Sequence, residues 1–112
     1  MTYEDPPRDP EAILAALADP TRRAIVTRLR TGALPVGALA DGLPVSRPAV
    51  SQHLRVLSDA GLLEVRQSGT RRLYHLSPEG VAALRQYLDV LWGDALAGLL
   101  SAARDMDSNT GE

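Results

Sequence analysis

The chain has 112 residues and no cysteine, which fits one domain with a modest core and excludes a disulfide framework, a thiolate metal site and thiol catalysis. No apolar run approaches the roughly 20 residues of a membrane span, and the acidic start MTYEDPPRDPE is unlike a signal peptide, so the sequence predicts a soluble cytoplasmic protein with no membrane partner. The net charge of −2 hides a segregation: Pro20 to Leu76 carries nine Arg against three acids, for +6, while residues 1–19 and 77–112 carry −4 each.

In chain order, residues 1–8 hold two prolines and several charges and predict a flexible tail. Asp9-Pro10 opens a first helix, with Asp as cap and Pro at the first position, and Ile13, Leu14 and Leu17 form its apolar stripe. Asp19-Pro20 repeats the device. The second helix runs to about Arg30, buries Ile25, Val26 and Leu29, and shows Arg22, Arg23, Arg28 and Arg30 to solvent or phosphate, before Thr31-Gly32 ends it. In Leu34 to Leu43, Val36, Leu39 and Ala40 give a short helical stripe, and Gly42-Leu43-Pro44 makes a turn.

Val45 to Leu63 carries the clearest pattern. Val50, Leu54 and Leu57 fall at i, i+4 and i+7, bracketed by Val45 and Leu62, so one helix face is buried. The opposite face carries Pro48, Gln52, Arg55 and Asp59, with Ala49 and Ser51 on its flanks. Ser46 stands as N-cap, Pro48 lies in the first turn, and Gly61 supplies the stop. A short helix, a tight turn and this helix make a helix-turn-helix, and a face of small hydrogen-bonding groups with Arg suits a DNA major groove.

After Gly61 the period becomes two: Leu63, Val65 and Gln67 alternate with Glu64, Arg66 and Ser68, Ser68-Gly69-Thr70 turns, and Arg71 to Leu76 returns. A basic hairpin here reads as a wing, whose Arg66, Arg71 and Arg72 can reach phosphates or a minor groove. The alternative is an edge hairpin whose arginines only deter aggregation. Ser77-Pro78-Glu79 then opens a helix reaching about Ala103, with a stripe of Val81, Leu84, Leu88, Leu91, Ala95 and Leu99 widened by Tyr87, Trp92, Leu96 and Leu100. That helix is too long and apolar for its own domain to cover. It predicts a homodimer through the first and last helices, with Ile13, Leu14, Leu17, Leu84, Leu88, Leu91, Trp92, Ala95 and Leu99 at the interface. The domain spans 9–104, and residues 105–112 form a second flexible tail. The fold class is therefore mainly α with a small β-hairpin: a winged helix-turn-helix of about five helices and a two-stranded wing.

The chain resembles the ArsR (arsenic-repressor-like) family of bacterial winged helix-turn-helix regulators over about residues 10–100. The resemblance rests on LADPTRRAIVTRLR at 17–30, on SRPAVSQHLRVLSDAGLLEVRQSGTRRLYHL at 46–76 with its Ser-x-x-x-x-Ser-x-His-Leu and Leu-x-x-Ala-Gly-Leu patterns, and on the SPEG opening of the last helix. It implies a homodimeric repressor on an inverted-repeat operator of double-stranded DNA. It also implies DNA contacts from Arg47, Ser51, Gln52 and His53 on the recognition helix and from Arg66, Arg71 and Arg72 on the wing. Arg22, Ser46, Pro48 and Arg55 complete the expected DNA surface. Gln52 could pair with adenine and Arg47 with guanine or phosphate.

His53 lies nearer the buried stripe than the groove face, and two roles are open to it: a DNA contact, or a structural hydrogen bond that orients the helix. Family members that sense metals use a Leu-Cys-Val-Cys segment, where this chain reads Leu34-Pro35-Val36-Gly37, or histidines on the closing helix, where residues 77–104 have none. The expectation is no metal site and no cofactor, with the inducer, ligand or partner protein, left open. No nucleophile-base pair, phosphate-binding glycine loop or paired-carboxylate motif suggests an enzyme, and Ser51 and His53 lie on different faces of one helix. The competing function is a winged-helix protein-interaction module that does not bind DNA.

Overall fold

A computed structural model describes residues 8–110. Asp9 accepts a hydrogen bond from the Glu11 N–H and starts helix α1 (Pro10–Ala16), and Asp19 accepts from the Arg22 N–H to start α2 (Pro20–Arg28), each with proline in the first turn. That backbone donor holds the Asp19 carboxyl below the usual carboxylate range. A single 3₁₀ turn, Leu29–Thr31, follows α2. The short helix α3 (Val36–Ala40), the long amphipathic α4 (Arg47–Asp59), strands β1 (Leu63–Ser68) and β2 (Arg71–Leu76), and helix α5 (Pro78–Thr110) complete the order.

Leu34 is not part of a helix. It exchanges both main-chain hydrogen bonds with Tyr74, at 3.0 and 2.9 Å, and so adds one residue of strand to the free edge of β2. The helix begins only after Pro35, which cannot supply a ladder donor.

Ile13, Ile25, Leu39, Val50, Leu54 and Leu57 are fully buried and form the core with Ala16, Leu29, Leu62 and Leu63. Ile13 was expected at a dimer interface. Instead it points inward, because α1 packs on both α4 and α5 and has no other face to offer the core. Leu17 and Leu84 also rest partly on the core, whereas Leu14 is exposed.

Two backbones meet where α4 ends and α5 begins. Gly61 is left-handed at φ +90°, the Ser77 N–H donates to Leu62 O at 2.8 Å, and a Cβ on Gly80 would lie 2.2 Å from Gly61 O. Ser77, fully buried, accepts from the Gly80 N–H at 3.1 Å and so caps α5. Arg8, expected in the tail, is docked here: its guanidinium lies 3.5 Å from both Glu64 and the Ser77 hydroxyl. The rest of the expected tail, residues 1–7, lies outside the described residues.

From Leu88 to Met106 every residue of α5 is exposed. The 33-residue helix is about 50 Å long, and the radius of gyration is 19.5 Å against the ~13 Å of a compact chain of this size. It also continues to Thr110, past the expected end near 103–104, because no Pro or Gly stands between Ala103 and Gly111 and extending a formed helix costs little. Residues 111–112 of the expected tail lie outside the described residues. Among the described residues no helix is long and apolar enough to cross a membrane.

The two ends of α5 respond oppositely to the same substitution. Gly80→Ala should destabilise by about 1–3 kcal/mol through overpacking, whereas Gly93→Ala, with nothing within 4 Å of the added carbon, should stabilise by about 0.5–1 kcal/mol. Thermal melts of the two variants, read side by side, check the sign of each.

Candidate nucleic-acid interface

The roll of α4 is set by its apolar stripe. With Val50, Leu54 and Leu57 at 0 % exposure, the helix must turn Arg47, Pro48, Ser51, Gln52 and Arg55 outward. The Ser46 hydroxyl accepts from the Ala49 N–H at 3.2 Å and caps the helix.

The hairpin is closed by a two-residue turn in which Gly69 has φ +62° and Thr70 a negative φ, the II′ arrangement that matches strand twist. Pairing sets Val65 opposite Tyr74 and Gln67 opposite Arg72 on one face, and Arg66 opposite Leu73 and Ser68 opposite Arg71 on the other. Strand parity therefore separates Arg66 from Arg72. Arg72 turns toward α4, where it lines a groove of about 360 Å³ with Ser51, Arg55, Val65 and Tyr74. A second cleft, about 390 Å³, brings Arg47 together with Arg71 and Arg72 beside α3. Arg66 shares its hairpin face with Arg71 but lies farther from the tip, is exposed, and lines neither cleft.

The arginines fall into two sets. Arg8 pairs with Glu64; Arg23 donates to Leu17 O and Ala18 O; Arg28 donates to Ala38 O and Asp41 O; Arg30 donates to Thr27 O. Of the three expected to face solvent or phosphate, Arg23 and Arg30 are exposed and Arg28 is half-buried, and all three also donate to helix-end or turn carbonyls that lack intrahelical donors. Arg47, Arg55, Arg66, Arg71 and Arg72, all on α4 or the hairpin, have no hydrogen bond or ion pair among the described residues, and neither have Arg85 and Arg104 on α5.

Arg22 and His53 differ from the DNA surface expected for them. Both are half-buried, and the Arg22 guanidinium bridges the end of α1 to α4: Nε donates to Ala16 O, and Nη1 lies 3.3 Å from His53 Nδ1. For Nη1 to donate, Nδ1 must accept, which places the ring proton on Nε2. Of the two roles open to His53, the structure contains the hydrogen bond that orients the helix.

Thr70 and the Pro35–Ala38 segment, which line the second cleft, were not foreseen as part of this surface. Nothing local marks them, since the Leu34–Tyr74 bridge is what lays this segment beside the hairpin. Pro35 and Gly37 carry no thiol at the positions where the family resemblance led to the expectation of cysteines. Among the described residues no three His, Asp or Glu side chains gather within ligating range.

A helix-turn-helix with an outward polar face on its second helix, followed by a basic wing, defines a winged helix-turn-helix transcriptional regulator. Comparison with known proteins narrows the class. The family described as helix-turn-helix domain matches residues 17–66. HTH-type transcriptional regulator Rv2034 of Mycobacterium tuberculosis is 60% identical over 91 residues, covering 81% of this chain and 85% of that protein. The ArsR-like transcriptional regulator from Rhodococcus sp. RHA1 superposes with a TM-score of 0.72 at 30% identity, covering 87% of this chain and 91% of that one. The homodimeric winged helix-turn-helix DNA-binding domain of Mb0332 from Mycobacterium bovis, a possible ArsR-family regulator, gives a TM-score of 0.60 at 31% identity, covering 77% and 80%. The chain belongs to the ArsR family of transcriptional regulators.

If Arg22 positions α4 rather than touching phosphate, Arg22→Ala should weaken DNA binding about tenfold while leaving the dependence of affinity on salt unchanged. Gel-shift titrations at several salt concentrations separate the two roles, because a lost phosphate contact lowers the slope by about one.

Proposed function

We propose that the protein is a homodimeric repressor that reads an inverted-repeat operator, with α4 in the major groove and the hairpin on the neighbouring backbone. The observation that carries this reading is that, of the seven arginines without a partner among the described residues, five gather on α4 and the hairpin, on a chain whose net charge is negative. Exposed guanidinium groups left unpaired by their own protein suit phosphate oxygens, which they hold in a bidentate fork. Ser46, Arg47, Pro48, Ser51, Gln52 and Arg55 face the groove in this arrangement. Gln52 is the candidate for adenine and Arg47 for guanine or phosphate.

The dimer is supported by the apolar length of α5. Leu88, Leu91, Trp92, Ala95 and Leu99 lie exposed along one side of that helix, flanked by Leu96, and Leu14 of α1 is 40% exposed. Trp92 is 75% exposed, an unfavourable setting for an indole unless another surface covers it. The homodimeric relative Mb0332 supports a second copy of the chain as that surface. Two recognition helices would then meet the same face of DNA one turn apart, about 34 Å. With Pro35 and Gly37 where the resemblance expects thiolates, release of DNA by a thiolate-bound metal has no ligands in this chain.

Gel shifts test the assignment of parts. Replacing both Arg71 and Arg72 by Ala should weaken binding to all sequences and lower the salt slope by about two, whereas Gln52→Ala should relax preference at one operator position and leave the slope alone. An unchanged slope in the double variant would remove the wing from the phosphate contacts. Replacing Trp92 and Leu99 by Glu should yield a monomer by analytical ultracentrifugation and cost operator affinity at least 100-fold, since two half-sites would no longer be held together. A dimer that survives both charges would place the interface elsewhere.

A further inference from the structure

The cleft between α3 and the tip of the hairpin has a composition that recognition of a base does not explain. It is lined by Pro35, Gly37, Arg47, Thr70, Arg71 and Arg72, among others, with no carboxylate in its wall. Its volume of about 390 Å³ is in the range of small-ligand sites. Three of its lining residues are arginines, drawn from α4 and β2, and none of the three has a partner among the described residues. Like charges held together repel, so the arrangement favours an anion between them.

Two further features shape the cleft for an oxyanion. Tyr74 gives both main-chain groups to Leu34, and by ladder alternation the same open edge of β2 carries the main-chain N–H of Arg72. At position 37 there is no side chain, and a Cβ there would lie 2.9 Å from Arg47 Nη2. The bare Gly37 backbone is what allows the Arg47 guanidinium to lie against α3 and face the wing.

We propose that this cleft is an oxyanion pocket that takes a single phosphate group between Arg47, Arg71 and Arg72. The pocket lies on the face read as DNA-binding but does not need that reading: the phosphate can belong to the DNA backbone or to a free polyphosphate that competes with DNA. Gly37 is the specificity-determining position, since any larger residue there displaces Arg47 while leaving every charge in place.

The test uses inorganic pyrophosphate as probe, added at constant ionic strength balanced with chloride, with the Nε–Hε signals of the arginines followed by NMR. Arg47, Arg71 and Arg72 should shift together and saturate, while Arg55 and Arg66 stay still. In Gly37→Val the saturable response should weaken at least tenfold, and Arg47→Gln, which adds no bulk, should weaken it in the same way. Five arginines drifting together without saturation, or a Gly37→Val variant that is folded by circular dichroism and binds as tightly as the original, would overturn the pocket.

A labelled 30-base-pair duplex of random sequence distinguishes the sources. If pyrophosphate displaces the duplex with the midpoint of the NMR titration, the DNA backbone supplies the phosphate. If the cleft saturates while the duplex stays bound, the ligand is the free anion. A protein that binds no duplex at all would defeat the DNA reading, and the pyrophosphate titration would still decide the pocket.

Discussion

The structure depends on one place where two main chains touch. At the end of α4, Gly61 and Leu62 lie directly against Ser77 and Gly80 at the start of α5, close enough that no side chain fits between Gly80 and the Gly61 carbonyl. Both legs of the hairpin leave from the same point, with Leu63 paired to Leu76. The recognition helix, the wing and the long helix are therefore joined by backbone, which deforms less than interdigitated side chains. Arg8 tightens the joint through Glu64 and Ser77. In a dimer built along α5, the spacing of the two recognition helices would be set through this contact.

The charge pattern gains its meaning from what each cation touches. Five of the nine arginines in the central segment have no partner among the described residues, and four of them, Arg47, Arg55, Arg71 and Arg72, line the clefts between the hairpin and helices α3 and α4. The other four are engaged with carbonyl groups or a histidine, where they satisfy the orphan acceptors of helix ends and turns. A net charge of −2 is compatible with nucleic-acid binding because attraction to phosphate falls off within about 10 Å in salt, so the local field counts and the sum does not.

Helix α5 serves two environments in succession. Its first turns, with Gly80 buried and Leu84 packed on the core, belong to the domain. Beyond Leu88 it has no domain to rest on, yet its sequence remains apolar on one side. That mismatch between composition and surroundings is the strongest sign in the chain of an association surface, and it was legible in the unbroken helical spacing from Val81 to Leu99.

The sequence by itself determined the kinds of element and their order. Two Asp-Pro caps, the Ser46 cap, the i, i+4, i+7 stripe of α4 and the change to period two after Gly61 each act within about one turn or one strand pair, the range over which neighbouring residues dictate backbone shape. It also placed the outward face of α4 correctly, because burying Val50, Leu54 and Leu57 leaves only one orientation. Relations between residues far apart were decided by the tertiary structure alone. Ile13 went to the core, Arg22 found His53 across 31 positions, Leu34 joined β2, and Pro35 to Ala38 came to face the hairpin tip. Periodicity tells a residue which side of its own helix it occupies. Which neighbour waits on that side depends on how the helices cross.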